Sequence, residues 1–359
     1  MKSFSLLAFL FVFAFINSQN RELTNKKLIK YHEAVNSAED KIVTDDLDSA
    51  DFYYRKAFKH FNEPHANDIY NHMKVLLNKK EYENAFKHYQ SLNCMNYKFE
   101  DHFISVNFPN HENYKKLKCT NKFDNDYRKQ LDELFVTDQH YRKLSGGDYA
   151  KYKKEITRND SITSTKLLQL IQKKGFPNEY DLSLSSADPV FFQNFYFIIW
   201  HQLATSLYKP QVVNFSSEII KALNRGKITP DNAAFLLDLS NGTTDYSAKY
   251  FDIVQILKNE GNSERPHDGV EEMLEKADCC YVHEWFYPEK RGEKGNALVK
   301  DIDRRRKSIG MSTLDQNLRK KTFLLTNKDY KLGHASLIGI NFQNNEDAEN
   351  LKKHFIKIK

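Results

Sequence analysis

A histidine set in an apolar stretch, a carboxylate followed four residues later by a guanidinium, and a few cysteines are the groups in this sequence whose chemistry reaches beyond packing. His201 lies between Trp200 and Gln202, close behind Phe197 and Ile198. An imidazole titrates near neutral pH, and a carboxylate held on one ring nitrogen fixes the tautomer and leaves the other as a base. Asp138 and Arg142, spaced i,i+4, share one face of a helix and can supply that carboxylate with its counter-ion. Asp303 and Arg305 fall in the run Asp301-Ile302-Asp303-Arg304-Arg305-Arg306, which can hold an anion. Asp138, Arg142, His201, Asp303 and Arg305 are therefore the candidate catalytic set, of hydrolase type. The competing reading is structural: a hydrogen-bonded core histidine, Asp/Arg pairs that tie helices together, and a solvated basic helix face.

Other chemistry has less to stand on. The sequence has no His-Glu-x-x-His spacing, no Gly-rich phosphate loop and no Gly-x-Ser-x-Gly elbow, so neither a metal nor another cofactor is expected. His283-Glu284 near Cys279-Cys280 is the nearest approach to a ligand group, and the adjacent cysteines read as a buried thiol pair. The formal charge of +6 is spread among alternating acids and bases, which gives no basic face for nucleic acid. Sequons at Asn159, Asn214 and Asn241 are expected by chance in a chain so rich in Asn and Ser.

The first residues carry Lys2, then an unbroken apolar run from Leu6 to Ile16, then polar Asn17 to Asn20. That order is the one of a cleavable export signal, and the run is too short for a membrane-spanning helix. Export, to the periplasm or outside the cell, predicts a disulfide. Cys94, after a helix ending near Leu92, and Cys119, at the end of a short helix from Tyr114, are the expected partners, with Phe103 to Phe108 extended between them.

The elements that would position these groups read as helices. Hydrophobic residues make up 40% of the chain and aromatics 13%, while 12 glycines and 8 prolines are too few for a many-turned β sandwich. Ala50, Tyr54 and Ala57 match Ala85, Tyr89 and Leu92 at an offset of about 35 residues, near the period of a tetratricopeptide array. Lys80 to Tyr89 resembles the turn and second helix of such a repeat, with Asp68 to Asn78 as its first. Leu77 and Lys80 stand where such repeats favour glycine, so generic α-hairpins with the same packing needs are the alternative. Leu28 to Ala38 supplies an earlier helix.

Helices are predicted over Leu131 to Leu144, from a cap at Asp160 or Ser161 to Gly175, over Val190 to Tyr208, over Ser216 to Asn224, and from Pro230 to Leu239. Asp138, Gln139 and Arg142, then Gly175 and Pro177, His201, Gly226 and Ile228, Asp238, and Asp301, Asp303, Arg305, Arg306 and Gly310 occur in an order that resembles a bacterial, often exported, helical domain family of unknown function. The resemblance covers about Asp126 to Leu314. The chain departs from it at Asp238-Leu239, where the family favours Asp-Arg, and around Tyr246, where a Tyr-Gly-Thr signature is missing. Beyond Lys320, Thr322 to Leu325 and Ala335 to Phe342 read as a hairpin turning at Asn327 to Asp329, followed by a helix from Asp347 to Ile358.

The expected fold is mainly α: a signal at 1–19, a helical hairpin or repeat array at 20–120, an α-helical bundle at 121–316, and a small β-hairpin plus helix at 317–359. The function expected from it is a binding or scaffold module for protein or peptide partners in the cell envelope, with no transmembrane segment after cleavage. The hydrolase reading is the alternative.

Overall fold

The computed structural model describes residues 22–120, 122–184, 193–206, 213–248, 253–257, 277–333, 337–341 and 345–358. The expected leader lies outside them.

Two helical hairpins open the described chain. Asn25 accepts hydrogen bonds from the Lys27 and Leu28 amides and starts α1 (Lys26–Val43), and Asp46 does the same for Ser49 at the head of α2 (Leu47–Phe58). α3 (Ala66–Asn78) and α4 (Tyr82–Cys94) form the second pair. Ala50, Ala57 and Ala85 are fully buried, so the helix backbones approach closely, with Tyr54 in the core of the first two and Tyr89 in that of the third. After α4 the chain departs from expectation. Phe103 to Phe108 is not extended but carries the one-turn helix α5 (Phe103–Asn107), a length too short to show periodicity. The segment from Tyr114 to Cys119 is not helical: Lys115, Lys116 and Lys118 surround Leu117 and leave no apolar face. Cys94 and Cys119 are nevertheless joined, with Cα atoms 5.2 Å apart.

The second half is a bundle. α6 (Asn125–Ser145) is capped by Asp124 and ends on Gly146 in a left-handed conformation. α7 (Lys153–Lys174) begins well before Asp160, which is therefore an interior residue rather than a cap. The short α8 (Glu179–Leu182) leads on to α9 (Tyr196–Ser206), α10 (Ser216–Asn224) and α11 (Pro230–Asn241). Leu131, Leu167, Ile198, Ile199, Phe215, Ile219 and Leu237 make their common core.

A small mixed sheet stands beside the bundle. Its strands β1 (Ile253–Leu257), β2 (Ala277–His283), β3 (Leu337–Asn341) and β4 (Phe355–Lys357) lie in the order β3-β1-β2-β4. β1 and β2 are antiparallel, whereas β3 runs parallel to β1. Thr322 to Leu325 is not a strand; it falls at the end of α13 (Leu314–Leu324), which follows α12 (Pro288–Ser308). A four-residue apolar run reads equally as strand or buried helix, and here the Thr313–Gln316 capping box decides for helix. The terminal helix is shorter than expected, α14 (Asn345–Lys352), because Phe355 to Lys357 pairs with β2. Cys279 and Cys280, expected as thiols, are joined to each other across a cis peptide bond that brings their Cα atoms to 3.0 Å.

The cores cross the boundaries expected at 120 and 316. Leu23 and Leu28 pack into the bundle core, Leu184 joins the core of α3 and α4, and Leu324, Tyr330 and Leu332 cover α1 and α2. Among the described residues no helix is long and apolar enough to cross a membrane.

Candidate functional site

The inward stripe of α6 is Tyr127, Leu131, Leu134, Asp138, Arg142 and Ser145, a spacing that puts a carboxylate and a guanidinium on the apolar face. The stripe of α7 runs Ile156, Asp160, Thr163, Ser164, Leu167 and Ile171, and brings a second carboxylate. Where these helices meet α9, the charges close on one another. His201 Nδ1 lies 2.8 Å from Asp138 Oδ2, and Arg142 donates from Nη1 and Nη2 to the two Asp160 oxygens at 2.7 Å each. The same Nη1 is 3.5 Å from Asp138 Oδ2. Gln139 donates to Asp138 and Gln202 to the Asp160 carbonyl.

Burial sets what this cluster can do. The side chains of Asp138, Asp160 and Arg142 are 0%, 1% and 8% exposed, and His201 15%. Burial pushes the Asp160 carboxyl above its ordinary range against the pull of Arg142. Burial likewise opposes the Arg142 charge, but Asp160 and Asp138 outweigh it and hold the guanidinium above its usual value. Two carboxylates thus share one guanidinium. His201 Nε2 has no hydrogen-bond partner among the described residues, so the ring has the tautomer control and the open nitrogen of a general base. Ligand-capable atoms of Asp138, Asp160 and His201 also lie within 4.8 Å of one another, close enough to share a cation. Arg142 already serves as that cation.

Asp138, Arg142 and His201 thus converge, joined by Asp160 from the interior of α7 rather than from a helix cap. Asp303 and Arg305 do not join them. Asp303 accepts the Leu314 amide at 2.8 Å and so caps α13, while Arg305 pairs with Asp301 and donates to the Asp245 carbonyl. A separate node forms around Tyr246. Asp238 accepts the Tyr246 and Ala248 amides, and the fully buried Arg306 donates to the Tyr246 and Ser312 carbonyls.

A third polar cluster, unread from the sequence, joins the hairpins to the bundle. Tyr31 donates to Asp68 and receives the His65 amide, while Glu179 of α8 accepts the Ala66 amide at 2.9 Å and faces His65 Nδ1 at 3.7 Å. Burial, reinforced by the Glu39 and Glu179 charges, pushes Asp68 up to about 7.

A different kind of surface closes the end of α4. Asn96, in a left-handed conformation, turns the chain so that the Tyr97 amide returns to the Leu92 carbonyl. The Cys94–Cys119 bond and a 2.7 Å bond from the Leu184 amide to the Met95 carbonyl hold this turn. Beside it opens a groove of about 340 Å³. Tyr89, Tyr97, Phe99 and Ile104 form its apolar lining, with the Phe99 ring 4.5 Å from Tyr97 and 4.7 Å from Tyr89. Asn93, Asn96, Lys98, Glu100 and Asp101 complete it, and among the described residues these side chains make no hydrogen bond or ion pair. A larger depression of about 540 Å³ is lined, among the described residues, by one face of α6 from Asn125 to Thr137.

Compared with family models, with curated proteins and with solved structures, the chain finds no match in any of the three.

Proposed function

We propose that this chain is an exported helical binding module, and that the groove at the end of α4 is its ligand-facing surface. The observation that carries this reading is the pairing, in one stapled turn, of half-buried aromatic rings with polar side chains that the fold itself leaves unused. Small-ligand and peptide sites combine apolar area with a few convergent polar groups in the same way. The apolar leader from Leu6 to Ile16 and the Cys94–Cys119 bond favour an oxidising compartment. The helical hairpins hold the turn in place, as a tetratricopeptide-like scaffold for protein or peptide partners would. Affinity capture from cell-envelope extract, with the intact chain and with Tyr97→Ala/Phe99→Ala, tests the reading: a specific ligand retained by the first and lost by the second supports it, and identical captures refute it.

A second reading rests on the 2.8 Å contact between Asp138 and His201. It makes the bundle a hydrolase-type acid–base site, with Asp138 orienting the ring and Arg142 balancing the carboxylates, and it extends the resemblance to the exported family of unknown function. Loss of a hydrolytic activity in His201→Gln, with unfolding unchanged, would establish it.

A further inference from the structure

We infer that the groove beside α4 takes a short neutral carbohydrate, one or two pyranose rings in length, and this rests on the binding-module reading above. The chemistry of the lining selects the ligand class. Tyr97 and Phe99 are half-buried, and the Phe99 ring adjoins both Tyr97 and Tyr89, so they offer aromatic surface without a deep apolar hole. Aromatic faces carry partial negative charge, which attracts the weakly positive C–H groups on the flat side of a pyranose. The rim supplies the hydroxyl partners. Asn93 and Asn96 bring amides that both donate and accept, and Glu100 and Asp101 bring carboxylates that accept from vicinal hydroxyl pairs. Lys98 is the one cation among these lining residues, so with two carboxylates the rim is mildly negative. That charge opposes phosphate-bearing and other anionic ligands, while the polar rim suits a polyol better than a lipid or an apolar side chain. The volume of about 340 Å³ stands at the small end of ligand pockets, room for a mono- or disaccharide.

The geometry is also prepared in advance. The turn is fixed by the Cys94–Cys119 bond and by the backbone bonds of Tyr97 and Leu184, so the rings do not have to be ordered by the ligand.

Isothermal titration of the intact oxidised chain with N,N′-diacetylchitobiose, cellobiose and maltose tests the assignment. The expected result is saturable binding of at least one disaccharide, weakened about tenfold or more in Tyr97→Ala and in Asp101→Ala. Asp101 is exposed and bonded to nothing in the described fold, so its variant reports on the ligand even if Tyr97→Ala folds poorly. Absence of binding to all three sugars, or binding unchanged in both variants, overturns the carbohydrate assignment. A captured peptide that depends on Tyr97 and Phe99 would also overturn it while leaving the binding module standing. If neither sugar nor captured ligand depends on those rings, both readings fall.

Discussion

Arg142 illustrates how a buried charge is kept at the scale of one residue. Its two nitrogens span the Asp160 carboxylate at 2.7 Å, and a third polar contact reaches the Asp138 carbonyl at 2.9 Å. Removing one partner of such a pair leaves the other charged, buried and unpaired, which costs about 3–5 kcal/mol. Arg142→Met, which strands the buried Asp160 carboxylate, should therefore lower the denaturant-derived unfolding free energy by that amount, whereas Asp160→Leu should cost less, because Arg142 keeps its 3.5 Å contact with Asp138. His201→Ala removes one buried hydrogen bond from an otherwise intact pair and should cost roughly 1–3 kcal/mol. Should its melting temperature be unchanged while a ligand or activity is lost, His201 is functional rather than structural. Asp68 is the residue with the clearest pH signature. Its folded pKa, pushed by burial up to about 7 from an ordinary 3.8, means the native state holds a proton the unfolded chain has released. Stability from this group is full below pH 4 and is lost as pH rises toward 7, by at most about 1.4 kcal/mol per unit. Comparing wild type with Asp68→Asn between pH 4 and pH 7 isolates it: the variant should gain relative stability steadily as pH rises. His65 is also raised, since Glu179 outweighs its burial, so part of the slope persists in the variant.

Among the elements, the turn after α4 owes most to a covalent bond. The Cys94–Cys119 bridge closes a span of 25 residues whose own secondary structure is one turn of α5 and one 3₁₀ turn. Chain entropy assigns such a bridge about 3 kcal/mol. Cys94→Ser/Cys119→Ser should unfold at correspondingly lower denaturant, and proteolysis of the native variant should cut first between Asn96 and Lys118. Equal stability and an uncut segment would show that the aromatic cluster of Phe86, Tyr89, Phe99, Phe103 and Phe108 suffices without the bond. The link between α10 and α11 is constrained differently. Gly226 has φ +68°, and a Cβ there would stand 2.4 Å from the Phe61 ring. The glycine is required both by backbone conformation and by the close approach of the α2–α3 connection.

The whole molecule is held together across its expected domain boundaries. Lys320 of α13 and Glu39 of α1 form an ion pair in which the side chains are 5% and 8% exposed. Asn71 of α3 exchanges two hydrogen bonds with the Lys331 backbone, and Asn36 donates to the Gly310 carbonyl. Hairpins, bundle and the described carboxy-terminal segment therefore share cores and buried polar joints. Thermal unfolding should follow one cooperative transition by both near- and far-ultraviolet circular dichroism. Lys320→Met should shift that single transition down, by about 3–5 kcal/mol, since it strands Glu39. Two separated transitions, only one of them moved by Lys320→Met, would show instead that the parts fold independently.

Most of the bundle helices, several of their stops and the Cys94–Cys119 pair were legible in the sequence because they depend on local periodicity, caps and thiol count, whereas the short α5 and the end of α13 were not. Ser216 to Asn224 matches α10 at both ends, since Gly226 and Pro230 act within one turn of chain. Asp138, Arg142 and His201 were readable as candidates for the same reason: charged groups interrupt apolar stripes. Asp160 was readable too, standing on the stripe from Ile156 to Leu167, but a carboxylate before Ser161 imitates a cap. What only the tertiary structure decided is which groups meet. The pairing of β1 with β3 spans about 80 residues, and the Tyr31–Asp68–His65–Glu179 joint draws on three helices and the connection that leads into α3. The groove needed Tyr89 from a helix and Phe99 from a loop to face one space. Such encounters depend on long-range packing, where burial and charge compensation outweigh local preference, and no spacing along the chain records them.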